Sequence, residues 1–495
     1  MEVNSELFKS NHLYSLGALG FVVLVLVLSS ARNDPLSDVP GPWYARWTEL
    51  VAKYYWVTAR KSIYVHNLHL KYGPIVRVGP REVYIADPKA TQTVFRIKKE
   101  FPKAQWYLAF APFVLTIFNT PEIPIHRRFR RLLSSPLSET GLKSFYPQVE
   151  HKVDLAIEGI GKEFKTRGVA DVYKWWFFLA TDVIGELSFG EGFCMLESGK
   201  VNQYITDLQS VGKLAAYRSA FPSLLQISMR FGIPLPVLSN AQTSAKRIKN
   251  YSKESLKRHA AIVEKEGPGS RPTVFTKIYD AEGDDSITQD EMADNAQSYI
   301  VAGSDTTSNT LTYLTWSVCR HPEVKARLLK ELEVLPDGFT YEDMRQVHLP
   351  YLENVLSETL RRYPSVPAGL PREVPEGGAK LCGHYIPAGY TVSTQNYSLH
   401  RNPDAFPDPE KFDPSRWENP TQVMKDSFIP FGGGSRICIG LHLGKIEVKL
   451  AAARFFKAFP NARVSTLEGM KDEDMSQKLF FLSTPQGHRC LLELY

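Results

Sequence analysis

The residues best suited to chemistry lie in one stretch, Phe431-Gly-Gly-Gly-Ser-Arg-Ile-Cys438-Ile-Gly440. Three successive glycines let the backbone come close to a flat partner. A cysteine just ahead of a helix feels the positive end of the helix dipole and its free N–H groups. Both favour the thiolate, the form that ligates metals. Arg436, two residues earlier, offers a fixed cation to a carboxylate. Two other readings of such a loop fit less well. A dinucleotide loop of the GxGxxG type needs glycine where Ile437 stands, and no strand of a βαβ unit leads into it. An iron–sulfur cluster needs further cysteines close by, whereas Cys194, Cys319, Cys382 and Cys490 are scattered. The odd count, the spacing and the lack of CxxC also argue against a disulfide framework or structural zinc, and suit a reducing compartment.

Through Phe431, Gly434, Arg436, Cys438 and Gly440 the segment resembles the Phe-x-x-Gly-x-Arg-x-Cys-x-Gly signature of the cytochromes P-450. The resemblance makes Cys438 the axial ligand of a haem iron, the metal site, with Phe431, Gly434 and Arg436 beside the cofactor. Other segments agree with it in order, from about Pro40 onward. Ala302-Gly-Ser-Asp305-Thr306-Thr307 is similar to the family's oxygen-activation motif. Thr306 can bond back to the carbonyl of Ala302 and loosen the helix locally, Asp305 can feed protons through that hydroxyl, and Gly303 would leave room for the ring. Glu358 and Arg361 share one helical face at i,i+3, and with Arg416 they resemble the family's Glu–Arg–Arg triad behind the haem. His126 and Arg130 stand where the family grips a haem propionate, with histidine where tryptophan is frequent. Arg372 looks like a further propionate-binding arginine, so that Arg130, Arg372 and Arg436 would form a clamp.

These residues need elements to hold them. A capping box at Thr288 and Glu291 opens a proline-free run to Arg320, roughly 48 Å of helix, long enough to cross a domain. A second helix is expected over 352–362, stopping before Pro364. A last amphipathic helix spans about 441–459, and 75–78 with 83–86 reads as a hairpin. Pro35, Pro40, Gly41 and Pro42 suggest a stiff hinge, and 403–417 an extended tail. The expected fold is mainly α with small β-sheets, the cytochrome P-450 fold, with one N-terminal transmembrane helix. Residues 1–34 would be the anchor and 35–495 the catalytic domain.

The chain has 495 residues, 43% apolar and 23% charged, with net charge +6. No run of Lys and Arg stands out, which argues against nucleic acid as a partner. Residues 13–28 carry no charge, and 29–31 extend the stretch to a length that just spans a bilayer. Glu2 and Glu6 precede it; Arg32, Arg46, Lys53, Arg60 and Lys61 follow it. This asymmetry predicts an uncleaved single-pass anchor in the endoplasmic reticulum membrane with a cytosolic catalytic domain.

The resemblance implies a monooxygenase that activates O2 and takes electrons from an NADPH-dependent diflavin reductase, since no Rossmann fingerprint or flavin domain is present. Arg127, Arg128, Arg131, Lys445 and Lys449 could dock that donor. The charge-free run 104–121, with Trp106, Phe110 and Phe113, would cover the distal haem face. Together with Ala302 and Phe481 it implies a lipophilic substrate. The style of the motifs resembles fungal members that tailor terpenoids and polyketides. The competing expectation is a haem-thiolate isomerase or dehydrase that needs neither O2 nor reductase.

Overall fold

The computed structural model describes residues 34–112, 114–212, 214–223, 227, 230–231, 236–267, 272–276 and 286–495. The apolar segment 13–31 and Phe113 lie outside these residues. No helix among the described residues is long and apolar enough to cross a membrane. The elements that shape the site are, in chain order, α1 (Leu50–Val57), β1 (Ile75–Gly79), β2 (Glu82–Ile85), α2 (Trp106–Phe110), α3 (Ile123–Ser134), α4 (Tyr146–Arg167), α5 (Val172–Phe189), α6 (Ala215–Ala220), α7 (Gln289–Arg320), α8 (Pro350–Arg362), β3 (Arg372–Glu373), β4 (Thr391–Thr394) and α9 (Leu441–Ala458).

The long helix α7 has the expected bounds. Both halves of its capping box form: Glu291 N donates to Thr288 Oγ1 at 3.1 Å, and Thr288 N donates to Glu291 Oε2 at 2.9 Å. The helix is rich in Ser and Thr yet largely buried, because its hydroxyls bond back to its own carbonyls. Thr306, Thr310, Thr312 and Thr315 donate to the carbonyls four residues earlier at 2.6–2.8 Å. Helix α5 is apolar nearly all round, as a core helix should be, and packs along α7 with α4 and α9 alongside. Trp176 Nε1 of α5 donates to Thr315 Oγ1 at 3.2 Å. Helix α8 starts two residues before the expected position: Pro350 supplies a pre-set φ at its first turn, and Glu331 accepts from Tyr351 N and Leu352 N at 2.7 and 2.8 Å.

The hairpin forms as β1 and β2, antiparallel with Ile75 opposite Ile85. It extends into a four-stranded sheet of order β1-β2-β4-β3, in which β2 and β4 run parallel. Two expectations change. The segment 34–42 is no hinge: Leu36 and Val39 are buried, Arg77 pairs with Asp34, and a Cβ on Gly41 would meet Arg77 O at 2.6 Å. The run 403–417 is a succession of turns ending in a 3-10 helix, because its carbonyls fold around a buried guanidinium described below.

Candidate active site

The cysteine loop is held shut by Cys438 N, which donates to Phe431 O at 2.9 Å. Gly432 and Gly434 take positive φ of 72° and 65°, the left-handed region that favours glycine. A Cβ on Gly434 would lie 1.8 Å from Phe95 O, so the close approach that this glycine permits is to the chain itself. Phe431 packs on the main core. The Cys438 side chain is exposed, yet protein surrounds it closely enough that burial pushes its thiol pKa up. A residue both accessible and desolvated faces an interior space rather than open water. The Gly440 N–H and Arg130 pull its pKa the other way, towards thiolate. Arg130 Nη1 donates to Ile437 O at 2.6 Å, next to the cysteine.

Four cations, Arg436, Lys103, Arg130 and Arg372, converge on His126. Burial and these charges drive the His126 pKa down to about 3, which leaves the ring neutral. Among the described residues the carboxylate that pairs with this group is Glu100, whose Oε1 accepts from Arg436 Nε at 2.9 Å and Ser435 Oγ at 2.8 Å. Arg436 also donates to the carbonyls of Thr120 and Pro121 at 2.9 and 3.2 Å, so part of its fork is already spent. Arg372 is 3% exposed, and its Nε and Nη1 have no partner among the described residues. Lys103 is buried, which holds its pKa well below the ordinary lysine range. It lies over the Tyr107 and Phe118 rings at 4.5 and 4.6 Å. Enclosed cations with so little counter-charge suit an anionic partner.

Helix α7 crosses above this loop. Tyr299 on α7 senses the charges of Arg130 and Cys438, and Gly444 of α9 lies against Thr307. Thr306 Oγ1 donates to Ala302 O at 2.6 Å as expected, but the helix runs through the motif without a break. Val301 and Ala302 are exposed in the otherwise covered middle of the helix. Burial raises the Asp305 pKa to about 6. Gly303 has a different role from the one expected: a Cβ there would meet Ile184 Cγ1 of α5 at 2.9 Å, so the glycine lets two helices touch.

Behind the loop, Glu358 and Arg361 are fully buried. Arg361 donates to both oxygens of Glu358 at 2.8 Å, and Arg416 Nε reaches Glu358 Oε1 at 3.1 Å. Trp417 Nε1 and Asp413 N complete the carboxylate's shell at 3.0 and 2.9 Å. The remaining Arg361 donors take the carbonyls of His400, Pro409 and Lys411 at 2.7–3.0 Å. His400 Nε2 then accepts from Ile429 N at 3.2 Å, two residues before Phe431. The triad thus sets the backbone from which the cysteine loop springs.

On the opposite side, Trp106 stacks on Phe110 at 5.0 Å, and Phe481 lies 5.8, 5.2 and 5.6 Å from Trp106, Phe110 and Phe118. Asp294 and Asn295 of α7 hold this run by accepting from Leu115 N and Ile117 N at 3.2 and 3.0 Å. Ser365 Oγ donates to Thr306 O at 3.0 Å, and its carbonyl accepts from Ser483 N at 2.9 Å. Ser365 thereby links Thr306 to the strand that carries Ser483. On the basic face, Arg128 is committed to Glu291 and Lys449 to Glu353.

The sequence profile of the family Cytochrome P450 matches residues 40–491. The chain belongs to the cytochrome P450 family. It is 44% identical to the cytochrome P450 monooxygenase tazI of Aspergillus terreus, over 96% of this chain and 98% of that protein. It is 41% identical to the monooxygenase orf2 of Aspergillus niger (95% of each chain) and 33% identical to aflV of Aspergillus parasiticus (95% and 94%). A retinoic acid-bound cyanobacterial CYP120A1 shares the fold, with TM-score 0.73 and 22% identity over 92% of this chain and 99% of that one.

As a cytochrome P450 the chain is a haem-thiolate monooxygenase, and its activity requires O2, a redox partner and a small-molecule substrate. The site fits that cofactor: the orphaned Arg372 donors and the surplus of buried cations suit a pair of propionates, and Cys438 faces the space between them and α7. The cofactor, once bound, supplies the oxygen-activating chemistry. Sequence reading missed Glu100 and Lys103. Lys103 borders the uncharged run and could have been noticed there; Glu100 belongs to no local pattern.

Proposed function

We propose that Cys438 ligates the haem iron of a monooxygenase that oxidises a lipophilic intermediate, a terpenoid or polyketide of fungal secondary metabolism. The observation that carries this reading is the thiol of Cys438, enclosed yet accessible beside a surplus of buried cations. His126, Arg130, Arg372 and Arg436 hold the propionates, with Lys103 beside them. Asp305 stores a proton near neutrality and Thr306 carries it to the oxygen side. Trp106, Phe110, Phe113, Ala302 and Phe481 contact the substrate; the ring contacts of Trp106, Phe110 and Phe481 support this. Electrons come from an NADPH-dependent diflavin reductase docked near Arg127 and Arg131. The uncharged stretch 13–31 supports a single-pass anchor in the endoplasmic reticulum with the catalytic domain in the cytosol.

The test is carbon monoxide binding to the reduced, haem-loaded chain. The expected result is the long-wavelength Soret band of a thiolate-ligated haem in the wild type and its loss in Cys438→Ser. A wild-type haem protein without that band would refute the ligand. Product formation with reductase should require NADPH and fall in Thr306→Ala; product made without NADPH would favour an isomerase.

A further inference from the structure

Thr306 is held from two sides. Its hydroxyl donates to Ala302 O at 2.6 Å, within α7, whereas its carbonyl accepts from Ser365 Oγ at 3.0 Å, a contact between positions 59 apart in the chain. The Thr310 hydroxyl donates to the same carbonyl at 2.8 Å and lies 2.9 Å from Ser365 Oγ. Ser365 and Thr310 are both buried, so two hydroxyl protons serve three oxygens in a closed knot. The knot is tied to the wall behind it. Ser365 O accepts from Ser483 N at 2.9 Å, and Ser483 Oγ donates to Pro364 O at 3.0 Å. Val366 and Leu482, the neighbours of Ser365 and Ser483, pack in the aromatic cluster with Trp106, Phe110 and Phe481.

A threonine hydroxyl bonded to the carbonyl one turn back loosens the helix locally, and to pass a proton it must let go of that carbonyl. When it does, the carbonyl of Thr306 is the residue's tie to the pocket wall. We propose that Ser365 is a positioning residue for Thr306. Its hydroxyl anchors the Thr306 carbonyl to the wall of the aromatic cluster, so that the threonine side chain can turn without carrying α7 with it. Ser365 acts through Thr306, and the inference rests on the reading of Thr306 as the carrier of protons.

Two measurements on the haem-loaded full chain test it. The first is hydrogen exchange of the amides of 304–312, read by mass spectrometry. Loss of one buried hydrogen bond in Ser365→Ala should speed their exchange roughly fivefold relative to the rest of α7, and Ser365→Thr should restore the wild-type rate. The second uses a diflavin reductase with no added substrate, where NADPH electrons leave as hydrogen peroxide, or as water when protons arrive in time. Ser365→Ala should raise the peroxide share roughly twofold, in the direction of Thr306→Ala. The double variant should release no more peroxide than Thr306→Ala alone, because Ser365 has then lost the residue it positions. Unchanged exchange in Ser365→Ala, or peroxide that adds to that of Thr306→Ala, overturns the positioning role. If Ser365→Ala loses haem, Ser365→Cys, which keeps the side chain's size and weakens its donor, decides in its place. A peroxide share that Thr306→Ala leaves unmoved defeats the reading of Thr306 itself, whereas a normal Thr306→Ala response with an unmoved Ser365→Ala defeats only the positioning.

Discussion

Glu100 and Arg436 form a buried ion pair at 2.9 Å, two residues ahead of Cys438, and Glu100 Oε1 also accepts from Ser435. One carboxylate therefore fastens the cysteine loop to the segment that leads into the distal run. It also offsets part of the positive charge that awaits the propionates. Replacing it by Gln leaves Arg436 uncompensated. We predict that Glu100→Gln loses about 3 kcal/mol of stability in denaturant titration of the haem-loaded chain, and that its reduction potential moves positive. An unchanged potential would mean that Glu100 acts on packing alone.

Glu358 accepts from Arg361, Arg416, Trp417 and Asp413 N. Glu358→Ala strands two guanidinium groups, one of them fully buried, and should cost about 3–5 kcal/mol. The variant is expected to accumulate without haem, as measured by the ratio of Soret to protein absorbance.

Asp305 gives a prediction in which stability and activity move apart. Its folded pKa of about 6 lies above its unfolded value, so the folded state binds the proton more tightly. The favourable contribution is present at low pH and is lost as pH rises from about 4 through 6. Asp305→Asn removes a charge penalty and should be more stable than wild type above pH 6. Its turnover should fall on the order of 100-fold if the carboxyl passes protons. Thermal melts and NADPH-coupled assays across that range check both arms.

Gly303→Ala drives a methyl group into Ile184. Overpacking of this kind costs about 1–3 kcal/mol, and because the strain lies between α7 and α5 the haem spectrum should not change. A perturbed Soret band with unchanged stability would place Gly303 against the cofactor instead.

Much of the site was legible because its signals are local. Cys438 and Arg436 stand at a fixed spacing within one loop, Glu358 and Arg361 on one helical face, and Thr288 with Glu291 marks the start of α7 to the residue. Other features were hidden for a physical reason. Glu100 meets Arg436 across 336 positions and Ser365 meets Thr306 across 59, and no spacing rule reaches that far. Gly303 misled because a glycine in a helix announces a close approach without saying from which side. The prolines of 34–42 suggested a stiff spacer; burial of Leu36 and Val39 and the Asp34–Arg77 pair make it part of the body.

The triad also bears on the order in which the protein can be built. Apart from Arg361, Glu358 finds its partners 55–59 residues further along the chain, and Arg361 takes its carbonyls 39–50 residues on. Such closures carry a loop-entropy cost that local contacts do not, and they come late in assembly. The pairing of α5 with α7 spans further still, 139 residues from Trp176 to Thr315, so the floor beneath Cys438 is complete only after both kinds of closure have formed. A chain that has not yet wrapped 403–417 around Arg361 has its cysteine but no fixed place to hold it, and capture of the cofactor then becomes a checkpoint on completed folding.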